Sequence, residues 1–324
     1  MAVSAPERVV LASLPSPLQR AKRLGPRLGL EELFIKRDDL TGFSLGGNKI
    51  RKLEFLIADA LAQGADTILV MGGPRSNLCQ SAAAAARVVG LACEMILYGD
   101  RPSPTPANLT LAEASGAVSW FTGDDDRSSV ETFAKQRAAA LTSDGNRVYA
   151  IPRGGATAVG AVGYHLAAAE LVSQLGESGI DTASIVVCVG SGGTLGGIVS
   201  GMAALGVSWP LFGASVSREC VEAERRVDSI AAECARLLGT ATPDLGLTMI
   251  DARGPGYGQP WSAAEAASDM ARESEGLVLD PIYTAKAFAA LVELTATGLD
   301  GPVVFWHTGG TATALEALAR KDCM

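Results

Sequence analysis

The sequence predicts an α/β protein with a mostly parallel, twisted sheet, and three observations carry that expectation. Short β-branched runs alternate with alanine-rich stretches from one end of the chain to the other. The runs are continuously apolar, which suits strands covered on both faces. Glycines gather where those runs end, at 72–73, 154–155, 190–197 and 309–310. Alternating strand and helix favours parallel pairing through right-handed crossovers, and ligands collect at the carboxyl ends of such strands.

In chain order, a helix is expected near 49–63, followed by a strand over Thr67–Met71. Ser76 reads as an N-cap for an alanine-rich helix over 76–89, since its hydroxyl can accept a free first-turn N–H. Cys93–Tyr98 reads as the next strand. The polar stretch Thr122–Ser129 reads as a solvated loop ending in a helix cap, ahead of a helix over 128–142. Arg147–Ile151 follows as a strand, 156–175 as a helix, and Ser184–Val189 and Leu211–Val216 as strands. Helices near 218–238, 260–275 and 283–296 and a strand over Val303–Trp306 complete the pattern.

At 324 residues the chain has room for about two domains or one large α/β unit, and it can bury its core without staples. It is 48% hydrophobic and 19% charged, which excludes disorder. A formal net charge of −8 argues against nucleic-acid or anionic-membrane partners. No apolar run approaches the ~20 residues that cross a bilayer, and the start MetAlaValSerAlaProGluArg lacks the pattern of a signal peptide. Six cysteines without a CxxC pair suit reduced thiols in a cytoplasmic protein. Only His165 and His307 accompany them, so no metal site is expected.

The strongest local signal is the run from Val189 to Gly197, in which Gly190, Ser191, Gly192, Gly193 and Thr194 link an apolar strand to a helical segment. Free N–H groups and the helix dipole at such a junction favour an anion. No Lys-Ser/Thr follows, as a Walker loop requires. The run also lies past mid-chain, with no acid placed to hold a ribose. A cup for a small phosphorylated ligand is the better reading. The second signal is Gly46-Gly47-Asn48-Lys49. Asn48 reads as an N-cap that puts Lys49 in the first turn of a helix, where the dipole disfavours an ammonium. A neutral amine is what Schiff-base chemistry needs. Arg51 and Lys52 read as solvated charges on the same helix start.

These residues, in this order, resemble the fold-type-II pyridoxal-phosphate enzymes. The nearer likeness is to the group containing 1-aminocyclopropane-1-carboxylate deaminase, D-cysteine desulfhydrase and L-cysteate sulfo-lyase. It spans nearly the whole chain, through LeuProSerProLeu at 14–18, LysArgAspAspLeuThrGly at 36–42, GlyGlyAsnLys at 46–49, SerAsn at 76–77, GlyTyrGly at 256–258, AspProIleTyrThrAlaLys at 280–286 and HisThrGlyGly at 307–310. The resemblance implies a tryptophan synthase β-like architecture, with a smaller domain over 47–158 and a larger one formed by 1–46 and 159–324. It implies a homodimer with pyridoxal 5′-phosphate between the domains. Lys49 then corresponds to the Schiff-base lysine, Asn77 to the asparagine at the cofactor's phenolic oxygen, and Gly190–Thr194 to the phosphate cup. Thr308 corresponds to the hydroxyl residue facing the pyridine nitrogen. Ser76 matches a hydroxyl near the substrate, and Tyr257 and Tyr283 match two active-site tyrosines.

The implied reaction removes the Cα proton of a small amino acid and eliminates a group from Cβ, giving a keto acid and ammonia. Lys49 is the expected base, Ser76 its candidate partner, and Tyr257 and Tyr283 candidate proton donors. Cyclopropane deaminases carry Glu where this chain has Thr284, and a neutral residue there tilts the reading towards a desulfhydrase-like or sulfo-lyase-like enzyme. Relatives read Gln-Ser-Asn followed by His or Gln, whereas this chain reads Arg75-Ser76-Asn77-Leu78. Leu78 removes a polar substrate contact, while Arg75 adds a cation able to bind a carboxylate or sulfonate on the substrate side chain. The alternatives are a cyclopropane deaminase, another pyridoxal-phosphate reaction such as racemisation or β-replacement, and an inactive cofactor-binding homologue. Cys79 reads as a small buried side chain, and His307 carries no proton-transfer role.

Overall fold

The continuous apolar runs become parallel strands. The computed structural model describes residues 6–241 and 246–321. In chain order its strands are β1 (Leu18–Arg20), β2 (Leu33–Arg37), β3 (Thr67–Gly72), β4 (Ala92–Leu97), β5 (Val118–Phe121), β6 (Val148–Ile151), β7 (Ser184–Val189), β8 (Leu211–Ser215), β9 (Leu247–Asp251) and β10 (Val303–His307). The first helices are α1 (Leu24–Arg27), α2 (Asn48–Ala62), α3 (Asn77–Val88), α4 (Ala107–Ala114), α5 (Ser129–Ser143) and α6 (Ala158–Glu177). They are followed by α7 (Gly193–Leu205), α8 (Cys220–Leu238), α9 (Ser262–Glu275), α10 (Thr284–Ala296) and α11 (Thr311–Lys321).

Two sheets result. One has six strands in the order β1-β2-β10-β7-β8-β9, the other four in the order β5-β4-β3-β6. Every pairing is parallel except that of β1 with β2. The four-stranded sheet draws its strands from one continuous stretch of chain, whereas the six-stranded sheet takes β1 and β2 from before it and the rest from after it.

The six strands read from sequence all form, within a residue or two. Those missed have a physical signature. β1, β5 and β9 lie at sheet edges and are part-exposed, so they lack a continuous apolar run. β2 is interior, but Lys36 and Arg37 disguise it. Helices α4 and α11 also escape the sequence pattern. Each sheet is covered on both faces by apolar side chains. Leu33, Ile35, Phe288 and Phe305 lie on one face of the larger sheet, and Phe34, Ile185, Val187 and Trp306 on the other. The smaller sheet buries Ile68 and Val70 on one face, and Leu69 and Ile96 on the other.

One buried polar cluster ties these layers together. Asp38, fully buried at the end of β2, accepts Ser16 Oγ at 2.7 Å, Trp306 Nε1 at 2.8 Å, the Tyr164 hydroxyl, and Arg51 Nη2 at 3.0 Å. Burial pushes the Asp38 carboxyl up, and Arg51 more than reverses this, holding it below the ordinary range. Arg51 also donates to Glu170 through Nη1 at 2.9 Å and Nη2 at 2.8 Å, and Lys36 pairs with the same carboxylate. Arg51 and Lys52 are each 1% exposed, so the expectation of solvated charges is overturned. Neighbouring α6 passes so close that a Cβ on Gly163 would stand 2.1 Å from the Arg51 carbonyl oxygen, leaving no room for any larger residue.

Among the described residues, no helix is long and apolar enough to cross a membrane.

Candidate active site

A cavity of about 850 Å³ opens where strands of both sheets end. Gly72 lines it from the end of β3, Tyr98 and Gly154 from beyond β4 and β6, and Gly190, Ser217 and Thr308 from beyond β7, β8 and β10. This is the carboxyl-end crevice expected of parallel α/β sheets. It gathers residues 49, 75–78, 190–192, 194, 257, 283 and 308 into one wall system, with Gly193 just behind it.

Lys49 is the second residue of α2 and faces the cavity. The helix begins at Gly47, whose φ of 98° only glycine adopts readily, rather than at an Asn48 cap as read from sequence. A Cβ on Gly309 would lie 2.7 Å from the Gly47 Cα, so the two glycine loops meet backbone to backbone. The Asn48 N–H donates to the Thr308 carbonyl at 3.0 Å and extends that seam. The Asn48 side chain works inside the site instead. Its Nδ2 donates to Thr194 Oγ1 at 2.9 Å, and its Oδ1 accepts Lys49 Nζ at 2.8 Å. Burial lowers the Lys49 pKa to about 8, with Asp280 among the groups opposing the shift. What exposure Lys49 has is to the cavity.

Lys52 lies one turn further along and shares this face of α2, as an i, i+3 pair does. Its Nζ donates to the Gly154 carbonyl at 3.1 Å and stands 3.0 Å from where a Cβ on Gly193 would be. Burial, reinforced by the charge of Lys49, holds its pKa well below the ordinary range. A buried amine at the N-terminus of α7 is a ready partner for an anion. Sequence reading missed it, although its three-residue spacing from Lys49 was the available signal.

Residues 190–194, expected from sequence to form a phosphate cup, make the turn from β7 into α7. Gly192 takes a left-handed φ of 88° and caps α7, and Thr194 is held by Asn48. The Gly190 carbonyl accepts Ser217 Oγ at 3.1 Å and Arg218 Nη1 at 2.6 Å, which fixes the entry to the turn. Ser191 packs against Gly154, leaving no space there for a side chain.

Across the cavity, Ser76 caps α3, accepting the Cys79 N–H at 3.2 Å. Asn77 opens the helix. Its Oδ1 accepts Asn108 Nδ2 at 2.9 Å, which leaves its own NH₂ to donate into the cavity. Leu78 is 1% exposed, shared between the cavity edge and the core of the smaller sheet. Arg75 reaches back to Glu316 of α11, Nε to Oε2 at 3.5 Å. Cys79 is buried, and burial pushes its thiol up to about 12.

Tyr257 and Tyr283 meet hydroxyl to hydroxyl at 2.6 Å, their rings edge to face with centroids 6.0 Å apart. Burial, with Tyr257 next, raises the Tyr283 hydroxyl well above its ordinary range. Tyr98, unread from sequence, joins them from beyond β4; burial and the neighbouring Tyr257 push its pKa up to about 12. Arg127 stacks over the Tyr257 ring, guanidinium carbon to centroid 4.1 Å. Tyr283 is aimed by Asp280, whose carboxylate accepts the N–H groups of Ile282 at 3.0 Å, Tyr283 at 2.8 Å and Thr284 at 3.0 Å. Thr284 is fully buried and turns its hydroxyl onto Asp280 Oδ2 at 2.7 Å. His307 Nε2 faces the Val278 carbonyl at 3.2 Å and its Nδ1 accepts the Gly309 N–H, so both ring nitrogens are engaged, and the side chain does not line the cavity.

A family model described as pyridoxal-phosphate dependent enzyme matches residues 9–309. A D-cysteine desulfhydrase of Salmonella choleraesuis (strain SC-B67) is 39% identical over 319 residues, covering 96% of this chain and 95% of its own. Among solved structures, a 1-aminocyclopropane-1-carboxylate deaminase homologue superposes with a TM-score of 0.90 at 33% identity, over 97% of this chain and 95% of its own. A threonine deaminase from T.th. shares the fold, with a TM-score of 0.66 at 21% identity over 91% of this chain and 92% of its own.

Proposed function

The chain belongs to the pyridoxal-phosphate-dependent enzymes, and from that premise we propose a lyase that eliminates a β-substituent from a small amino acid, releasing a keto acid and ammonia. D-cysteine desulfhydrase-like or cysteate sulfo-lyase-like chemistry is the favoured form. The observation that carries this reading is the pair of buried amines on one face of α2, Lys49 at the cavity and Lys52 under the glycine turn. An aldehyde for the first and a phosphate for the second suit that donor set, and the start of α7 adds further N–H donors.

Bound there, pyridoxal phosphate supplies an electron sink for the charge that develops at the substrate Cα. The protein does the rest by holding and moving protons. Gly190–Thr194 and Lys52 would hold the cofactor's phosphate, the free NH₂ of Asn77 would donate to its phenolic oxygen, and Thr308 would offer a neutral hydroxyl to its ring nitrogen. Lys49, its pKa lowered by burial to about 8, takes the Cα proton. Ser76, across the cavity at the cap of α3, is its proposed hydroxyl partner. Tyr283 and Tyr257, bonded to one another, deliver a proton to the departing group. Thr284 contributes no carboxylate near the ring, which favours loss of a good leaving group over opening of a strained carbon ring.

We further propose a homodimer, the commonest symmetric assembly, working in the cytoplasm, in keeping with five free cysteines among the described residues.

Keto-acid and ammonia release from cysteine, cysteate, β-chloroalanine, serine and the cyclopropane amino acid, each enantiomer separately where there are two, tests the reading. Keto acid from a β-substituted substrate supports it. Racemisation alone, or silence across the panel, overturns it. A pH dependence follows from Lys49. As pH rises the ammonium loses its proton and the reactive amine accumulates, so capture of added pyridoxal phosphate by the apoprotein is expected to climb about tenfold per pH unit and level off near pH 8. Stopped-flow absorbance across pH 6–10 reads this directly; a midpoint near 10.5 would mean that burial leaves the amine unperturbed.

A further inference from the structure

The stretch Thr122–Ser129 behaves as a solvated loop at Asp124, Asp125 and Asp126, which are exposed. Asp125 and Arg127 both line the cavity, and Arg127 lies on the Tyr257 ring. Its Nε is buried without a hydrogen-bond partner, and no carboxylate stands within ion-pair distance of its guanidinium among the described residues. The other arginines of the wall are already engaged. Arg75 is paired with Glu316, Arg153 with Glu131 at 2.8 Å, and Arg272 with Asp269 at 2.7 Å. Arg218 is shared between Glu222 at 2.9 Å and the Gly190 carbonyl. Arg127 therefore leaves an unanswered cation beside the two hydroxyls that face the leaving group. Retaining a buried donor without an acceptor is costly, and an acceptor arriving with the ligand removes that cost.

We propose that Arg127 is a specificity-determining residue that binds an anionic group carried on the substrate beyond Cβ, a sulfonate being the best-shaped case for a guanidinium fork. This rests on the lyase reading above and adds to it the charge of the leaving group. For cysteate the step balances without an oxidant. The Cα proton leaves, a Cα–Cβ double bond forms, and the Cβ–S bond breaks with its electron pair on sulfur, giving sulfite. One water then converts the released enamine to pyruvate and ammonia.

Two measurements on the holoenzyme decide it. The first is the ratio of kcat/KM for cysteate to that for neutral β-chloroalanine, in wild type, Arg127→Gln and Arg127→Lys. The ratio is expected to fall about 10- to 100-fold in Arg127→Gln, mostly through KM for cysteate, and to recover in part in Arg127→Lys. The second is calorimetric binding of 3-sulfopropionate, which has no amine to react. Its affinity should weaken by a similar factor in Arg127→Gln. A ratio and an affinity both unmoved by the substitution overturn the role of Arg127, while keto acid from β-chloroalanine leaves the lyase reading standing. Should no amino acid yield keto acid, the lyase reading fails, and 3-sulfopropionate binding still decides the anion subsite by itself.

Discussion

Lys49→Ala is expected to abolish keto-acid formation, with kcat falling about 10⁴-fold or more, equivalent to ~5–6 kcal/mol of barrier. In the proposed mechanism one amine carries two duties at this position, the covalent hold on pyridoxal phosphate and removal of the Cα proton, so no neighbour can take over both. Lys52 is the amine one turn further along α2, but its Nζ is committed to the Gly154 carbonyl and the start of α7. The phosphate grip is untouched by the substitution, so the variant should still bind pyridoxal phosphate reversibly and lose it on dialysis. Borohydride reduction followed by peptide mass mapping gives the check. Wild type should carry the tag on Lys49 and the variant none; a tag on any other residue, or full activity in the variant, contradicts the assignment.

The second large effect is on stability. Asp38→Ala removes the acceptor of Arg51, Ser16, Trp306 and the Tyr164 hydroxyl at once. Arg51 keeps Glu170, but Asp38 is the partner that lies fully out of solvent. Breaking one side of a buried pair typically costs about 3–5 kcal/mol, because the other charge stays buried. The expected result is a lower urea midpoint with an unchanged slope. The effect should also reach the site, since Arg51 is two residues from Lys49 on α2. Arg51→Met with Asp38→Ala is the informative companion. If isolated charge is the cause, the double variant should recover part of the loss; a double variant less stable than the single would assign the cluster a packing role instead.

Much of the fold was legible because its interior strands are apolar without interruption, and such runs are hard to place anywhere except between two helical layers. The edge strands were not legible because half-exposed residues remove that signature. β2 was hidden by a lysine whose ammonium is answered by the Ser16 carbonyl and by Glu170 and Gln174, far along the chain. The glycine turns and the lysine at a helix start that line the cavity stood out, both being short-range patterns. Lys52, Tyr98, Arg127, Asn108 and Asp280 did not, because what makes each one matter is a partner from another segment. Arg51 and Lys52 show the limit most clearly. On a helix surface they would be solvated, and only the arrival of α6 and of the loop at Gly154 puts them out of reach of water.

The seam between Gly47 and Gly309 has a further consequence. It joins the start of the lysine-bearing helix to the loop after β10 through main chain, alongside the side-chain ties of Asn48 and Arg51, whereas Arg75 and Arg127 project from the loops that follow β3 and β5. Selection can therefore exchange side chains on the rim without disturbing the anchor beneath. On the lyase reading, a scaffold arranged in this way can change which leaving group it accepts while its core chemistry stays the same, and diversification or laboratory redesign should begin at the loops after β3 and β5.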